Sequence, residues 1–114
     1  MIVRKEKMEI LEVEKAAGGK GVITKMMILK PEEMLNKSRL CAKITLPPGS
    51  SIGEHLHQPD AEIYYILKGE ATVTDNEVCT SLYPGDVLFT GNGNRHSIEN
   101  RTLEKVEFLA IILD

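Results

Sequence analysis

The stretch that decides the fold is Gly49-Ser50-Ser51-Ile52-Gly53-Glu54-His55-Leu56-His57-Gln58-Pro59-Asp60-Ala61-Glu62, which continues through Ile63 to Lys68 and stops at Gly69. Side chains alternate between faces on an extended strand, so His55 and His57 project from one face with their backbones about 7 Å apart. Two imidazoles at that spacing can converge on one ion at a nitrogen–metal distance of about 2.1 Å. Gln58-Pro59-Asp60 then turns the chain, and Glu62 opens a neighbouring strand whose carboxylate can reach the same point. By the same alternation Tyr64 and Ile66 share the face of Glu62.

A second stretch runs Gly85-Asp86-Val87-Leu88-Phe89-Thr90-Gly91-Asn92-Gly93-Asn94-Arg95-His96 and ends at Asn100. Its Gly-Asn-Gly-Asn run supplies residues tolerant of positive φ, which lets a strand reverse tightly and bring His96 back. The chain has three histidines, and all three fall in these two stretches. A solitary histidine is usually a satisfied polar group at a strand edge. That bland reading leaves Glu62 and the bounding glycines unexplained, so the expectation is one divalent ion held by His55, His57, Glu62 and His96.

Outward from these stretches, short apolar segments alternate with Gly, Pro and Asn. Strands are expected at 8–13, 22–29, 40–46, 55–57, 62–67, 71–74, 77–82, 87–90, 96–100 and 105–113, with turns at nearly every gap. Lys30 to Leu35, with Pro31 followed by two acids, suits a single helical turn; whether it forms a lid over a barrel mouth is left open. Many short strands without a long helical period predict an all-β sandwich or closed barrel.

Composition bounds the rest. The chain has 114 residues, 42 % hydrophobic and 27 % charged, which suits one soluble domain. Trp is absent and only two Phe occur, so Val, Ile, Leu and Met must fill the core. A net charge of −3 and no basic cluster argue against nucleic acid as a partner. No apolar run approaches membrane-spanning length, and Met1 to Glu6 does not open a signal peptide. With two cysteines, Cys41 and Cys79, read as small hydrophobes in a reducing environment, the expected location is cytoplasmic.

The two stretches resemble the paired motifs of the cupin family. Gly49, His55, His57, Glu62 and Gly69 match its first motif, G-x5-H-x-H-x3,4-E-x6-G, at every defined position. Gly85, Gly93, His96 and Asn100 match the second, G-x5-P-x-G-x2-H-x3-N, with Gly91 where the family usually has proline. The resemblance implies a double-stranded β-helix, a jelly-roll-like barrel, as a single domain over 1–114. Residues 1–39 would supply N-terminal strands and a dimerisation arm, and 40–114 the barrel, with the motifs at 49–69 and 85–100. It also implies a bound metal and, as in other small cupins, a homodimer. The strands at 8–13 and 108–113, whose apolar edges exceed what one small barrel covers, support that pairing.

Three imidazoles and one carboxylate make a site of intermediate softness, open to first-row ions from manganese to zinc. The resemblance favours manganese, iron or nickel, with zinc a common occupant. Octahedral geometry would leave two positions for water, dioxygen or a bidentate ligand. Three side chains are weaker candidates to support the site: Tyr64 as donor to a ligand or as packing, Asn100 as an orienting or turn-closing residue, and Lys43 on a face the sequence does not fix. Arg95 should point away from His96. Ile52 stands where cupins resembling oxalate decarboxylase place an arginine, which lowers that activity.

Function stays between classes. The leading expectation is a small metalloenzyme (dioxygenase, decarboxylase or isomerase) acting on a hydroxylated or carboxylated metabolite, with catalysis itself uncertain. The alternative is a non-catalytic, metal-dependent small-molecule binding or sensing module, and a third is a barrel merely braced by its metal.

Overall fold

Along Leu40–Leu46, Ala42, Ile44 and Leu46 are buried while Cys41, Lys43 and Thr45 are half-buried, the pattern of a strand with one covered face. The computed structural model describes Met1 to Asp114 and contains ten strands built on such patterns. They are β1 (Ile10–Glu14), β2 (Val22–Leu29), β3 (Leu40–Leu46), β4 (Ser51–Leu56), β5 (Ala61–Lys68), β6 (Ala71–Asp75), β7 (Val78–Leu82), β8 (Val87–Thr90), β9 (Arg95–Glu99) and β10 (Val106–Leu113). Each corresponds to a segment expected from the sequence. The largest displacement is in β4, which begins at Ser51 and ends at Leu56, so that His57 lies just beyond it.

The strands form two antiparallel sheets, one of six in the order β1-β2-β3-β10-β5-β8 and one of four in the order β4-β9-β6-β7. This is the jelly-roll-like β architecture expected from the two motifs. Phe108, Tyr64, Ile44, Leu46, Ile66, Val73 and Ile98 fill the space between the sheets, each at most 1 % exposed. Aliphatic residues carry most of this core because tryptophan is absent. Asp75 pairs with Val78 across a two-residue turn, and both Asn76 and Glu77 take positive φ there. That geometry matches the twist of the paired strands.

One expectation is corrected. The terminal run was to present an open apolar edge, but β10 pairs with β3 on one side and β5 on the other, so it has no free edge. Only its faces alternate: Phe108, Ala110 and Ile112 are buried in the core, while Leu109 and Ile111 lie on the outer face. Strand β1 does lie at a sheet edge, with Ile10 65 % exposed. No helix is long and apolar enough to cross a membrane.

Candidate metal centre

Strands β4 and β9 pair so that His55 stands opposite His96, and β5 brings Glu62 to the same place. His57 reaches it from just past β4, where its backbone N–H donates to the Asn94 carbonyl and its own carbonyl accepts from Gly93. The ligating atoms of His55, His57, Glu62 and His96 all lie within 4.8 Å of one another. Glu62 Oε1 is 2.9 Å from His57 Nε2, 3.1 Å from His96 Nε2 and 3.6 Å from His55 Nε2. His96 Nε2 is 2.8 Å from His55 Nε2 and 3.1 Å from His57 Nε2. Donors at right angles around an ion about 2.1 Å away stand about 3.0 Å apart, and tetrahedral ones about 3.4 Å. Most of these separations fall near the first figure.

The other ring nitrogen of each histidine is also engaged. His55 Nδ1 donates to the Gly53 carbonyl at 2.7 Å, and His57 Nδ1 to the Asp60 carboxylate at 3.2 Å. Those partners only accept, so the neutral rings carry their protons on Nδ1 and direct Nε2 lone pairs inward. His96 Nδ1 lies 2.8 Å from the Thr90 hydroxyl, which can accept in the same sense. The result is a knot of lone pairs around Glu62 Oε1 with no proton required between them. A cation suits such a donor set, and hydrogen bonds of this kind orient the rings that hold one.

Electrostatics favour the anionic form of Glu62 and the neutral form of His96, and oppose the neutral form of His55. Burial works to raise the Glu62 pKa, but the Nε2–H groups that His55 and His96 present when those rings are protonated, with the charge of the nearby imidazoles, hold it at about 2. Burial lowers the pKa of His96 below the ordinary histidine value. Burial also pulls on His55, yet its hydrogen bonds with Glu62 and the Gly53 carbonyl outweigh that and raise its pKa. For Asp60, burial is overcome by hydrogen bonds from His57 and Arg39, and its pKa falls.

A cavity of about 340 Å³ opens onto the cluster, lined by His55, His57 and Glu62. Ile44, Ile52, Leu40 and Ile112 make it apolar, and Lys25 and Arg39 bring the only cations to its lining. Arg39 is committed, pairing with the carboxylates of Asp60 and Asp114. Lys25 forms no ion pair and lies close enough to His55 to oppose its protonation.

The three weaker candidates separate cleanly. Tyr64 is buried at 1 % exposure, lines the cavity and stacks on the His96 ring at 4.6 Å. Burial, and then the Glu62 charge, push its pKa well above the ordinary value. Asn100 is far from this chemistry: its amide donates to the Leu46 and Glu104 carbonyls and its oxygen accepts from Thr102, closing a turn. Lys43 stands on the outer face of β3 beside Glu107, 3.1 Å away, and does not line the cavity. Pro31–Met34 makes a 3-10 turn, and no residue of Lys30 to Leu35 lines the cavity. Arg95 is exposed while His96 is fully buried, as alternation requires.

The sequence reading missed Lys25, Arg39, Asp60 and Thr90. Thr90 immediately precedes Gly91, and Asp60 lies in the expected turn, so both sit beside the motifs without belonging to them. Gly91 has a local reason to replace proline. A Cβ there would meet Ala61 Cβ at 2.9 Å, closer than real side chains pack.

With the geometry established, comparison with known proteins is direct. Residues 42–112 match the cupin domain family, and the chain belongs to it. It is 44 % identical to an oxalate-binding protein of Thermotoga maritima over 99 % of this chain and 93 % of that protein. A crystal structure of a predicted oxalate decarboxylase from Thermotoga maritima superposes with a TM-score of 0.93 at 44 % identity, covering 99 % of this chain and 98 % of the other. The tetracenomycin polyketide synthase protein TcmJ of Streptomyces glaucescens is 34 % identical over 65 % of this chain and 50 % of its own length.

Proposed function

We propose that His55, His57, Glu62 and His96 hold one divalent first-row ion (manganese, iron, nickel or zinc) and that the centre captures a small dicarboxylate of the oxalate class. The observation that carries this reading is the meeting of four lone-pair donors beside a cavity of about 340 Å³. Similarity over nearly the whole chain to a protein described as oxalate-binding supports the ligand class. A bound ion would supply Lewis acidity toward carboxylate oxygens. The chain's own residues contribute the rest: aliphatic side chains shape one wall of the cavity, and the Nδ1 hydrogen bonds hold the imidazoles in place.

Binding is placed ahead of decarboxylation because the similarity that spans nearly the whole chain is to a protein described as oxalate-binding. The metalloenzyme reading stays second, supported by similarity to the predicted oxalate decarboxylase.

Calorimetry on chelator-stripped protein tests this. Manganese or zinc should bind at one equivalent, and oxalate should then bind only to the loaded form, without formate appearing. Loss of Glu62 and all three imidazoles without loss of metal, or no oxalate binding by loaded protein, would overturn the proposal.

We also propose a homodimer, paired through the outer face of β10-β5-β8. Val87 pairs with Tyr65 and Phe89 with Ile63, which places an apolar strip on one face. Tyr65, Leu67, Val87 and Phe89 are 42, 41, 58 and 60 % exposed, and Leu109 and Ile111 continue the strip. A second copy of the same strip is its natural cover.

A further inference from the structure

Strand β2 contributes Ile23, Lys25 and Met27 to one face, and Ile23 is fully buried in the core. Register confirms the direction: Lys25 pairs with Ile44, itself 1 % exposed and on the cavity lining. Cross-strand partners share a face. Lys25 therefore lies half-buried on the cavity side of the sheet, where it lines the cavity together with Ile44, Ile52, His55 and Glu62. No carboxylate of the chain lies within ion-pairing distance of its ammonium, whereas Arg39, the other cation of the cavity, is satisfied by Asp60 and Asp114. The one uncommitted positive charge thus lies along the cavity that also holds the face of His55, His57 and Glu62.

We propose that Lys25 is the charge-selecting residue of the cavity, pairing with a carboxylate oxygen of a dianionic ligand whose other oxygens face the metal centre. This deepens the reading of the site as a dicarboxylate centre and rests on it. Lys25 would set preference for a second negative charge, while the imidazoles and Glu62 set affinity for the metal. The two roles lie on different strands, so they can be separated by experiment.

The test uses manganese-loaded full-length protein, with oxalate and oxamate as probes. Oxamate keeps the size and one carboxylate but replaces the other by a neutral amide. Calorimetry should show wild-type protein preferring oxalate. In Lys25→Met, which keeps the aliphatic stem, oxalate affinity should fall at least about tenfold, while oxamate and manganese affinities change little. Lys25→Arg should restore most of the preference. Lys25→Met binding oxalate as tightly as wild type would overturn the proposal and leave the dicarboxylate reading intact. Equal losses for oxalate and oxamate would also overturn it, since they mark a structural role. Failure of wild-type loaded protein to bind oxalate at all would remove both readings, an outcome distinct from the other two.

Discussion

The Nε2 atoms of His55 and His96 lie 2.8 Å apart, and the neutral His55 ring directs a lone pair at its neighbour because its Nδ1 proton goes to the Gly53 carbonyl. Gly53 is itself constrained: a Cβ there would meet the Ala17 carbonyl oxygen at 2.2 Å. The turn at Ala16–Gly18 thus packs tightly on β4 and steadies the segment that aims His55. Backbone close packing and ring orientation are parts of one arrangement.

Residues that touch the outer nitrogens of the rings should control metal affinity. Thr90→Val and Asp60→Asn should each weaken zinc binding by about 10- to 100-fold with the fold retained. Competition against a chromogenic chelator measures this, with circular dichroism as the control. Unchanged affinity in both variants would show that these hydrogen bonds do not orient the rings.

Acid should displace the metal from the histidine side. Imidazole must be neutral to ligate. His55 has a pKa raised from 6.5, His96 lies below 6.5, and Glu62 stays ionised down to about 2. The raised His55 pKa draws the competing proton to that ring ahead of His96, and affinity declines as pH falls through the range, above the ordinary histidine value, in which His55 titrates. Below that point zinc affinity should drop about tenfold per pH unit, steepening once His96 also takes up a proton. Affinity that stays flat between about pH 8 and about pH 5 would contradict the assignment of the imidazoles.

Phe108 fills the core at 0 % exposure and packs against Tyr64 at 4.7 Å between ring centroids. Phe108→Ala should cost about 3–5 kcal/mol, read from the urea midpoint of metal-free protein. A loss below about 1 kcal/mol would mean that the core closes around the missing ring.

Charge placed on the outer strip should separate the copies. Phe89 is 60 % exposed at the edge strand β8, so Phe89→Glu should leave the fold intact and shift the light-scattering mass from dimer to monomer at micromolar concentration. Wild-type protein at monomer mass would remove the pairing altogether.

Much of this molecule could be read in advance because its information is local. Alternating residues such as Ala42, Ile44 and Leu46 mark strands, and the spacing of His55, His57, Glu62 and His96 marks positions that a β fold brings together. Lys25 and Arg39 were illegible for the opposite reason. They lie on the β2 strand and the approach to β3, far from the motifs in sequence, and meet the cavity only through sheet register. Lys43 shows the same limit: its outward face follows from pairing with Met26 and Leu109, which no single-strand pattern reveals. The edge character of the terminal run failed likewise, since strand order in a sheet is a long-range property.

The stacking of Tyr64 on His96 also makes the protein its own optical probe. With no tryptophan and only three tyrosines, ultraviolet emission comes from few sources, and Tyr65 and Tyr83 are each more than two-fifths exposed. Tyr64 alone touches a ring of the cluster. A paramagnetic ion such as copper or nickel would quench that fluorophore selectively, giving a dye-free gauge of site occupancy.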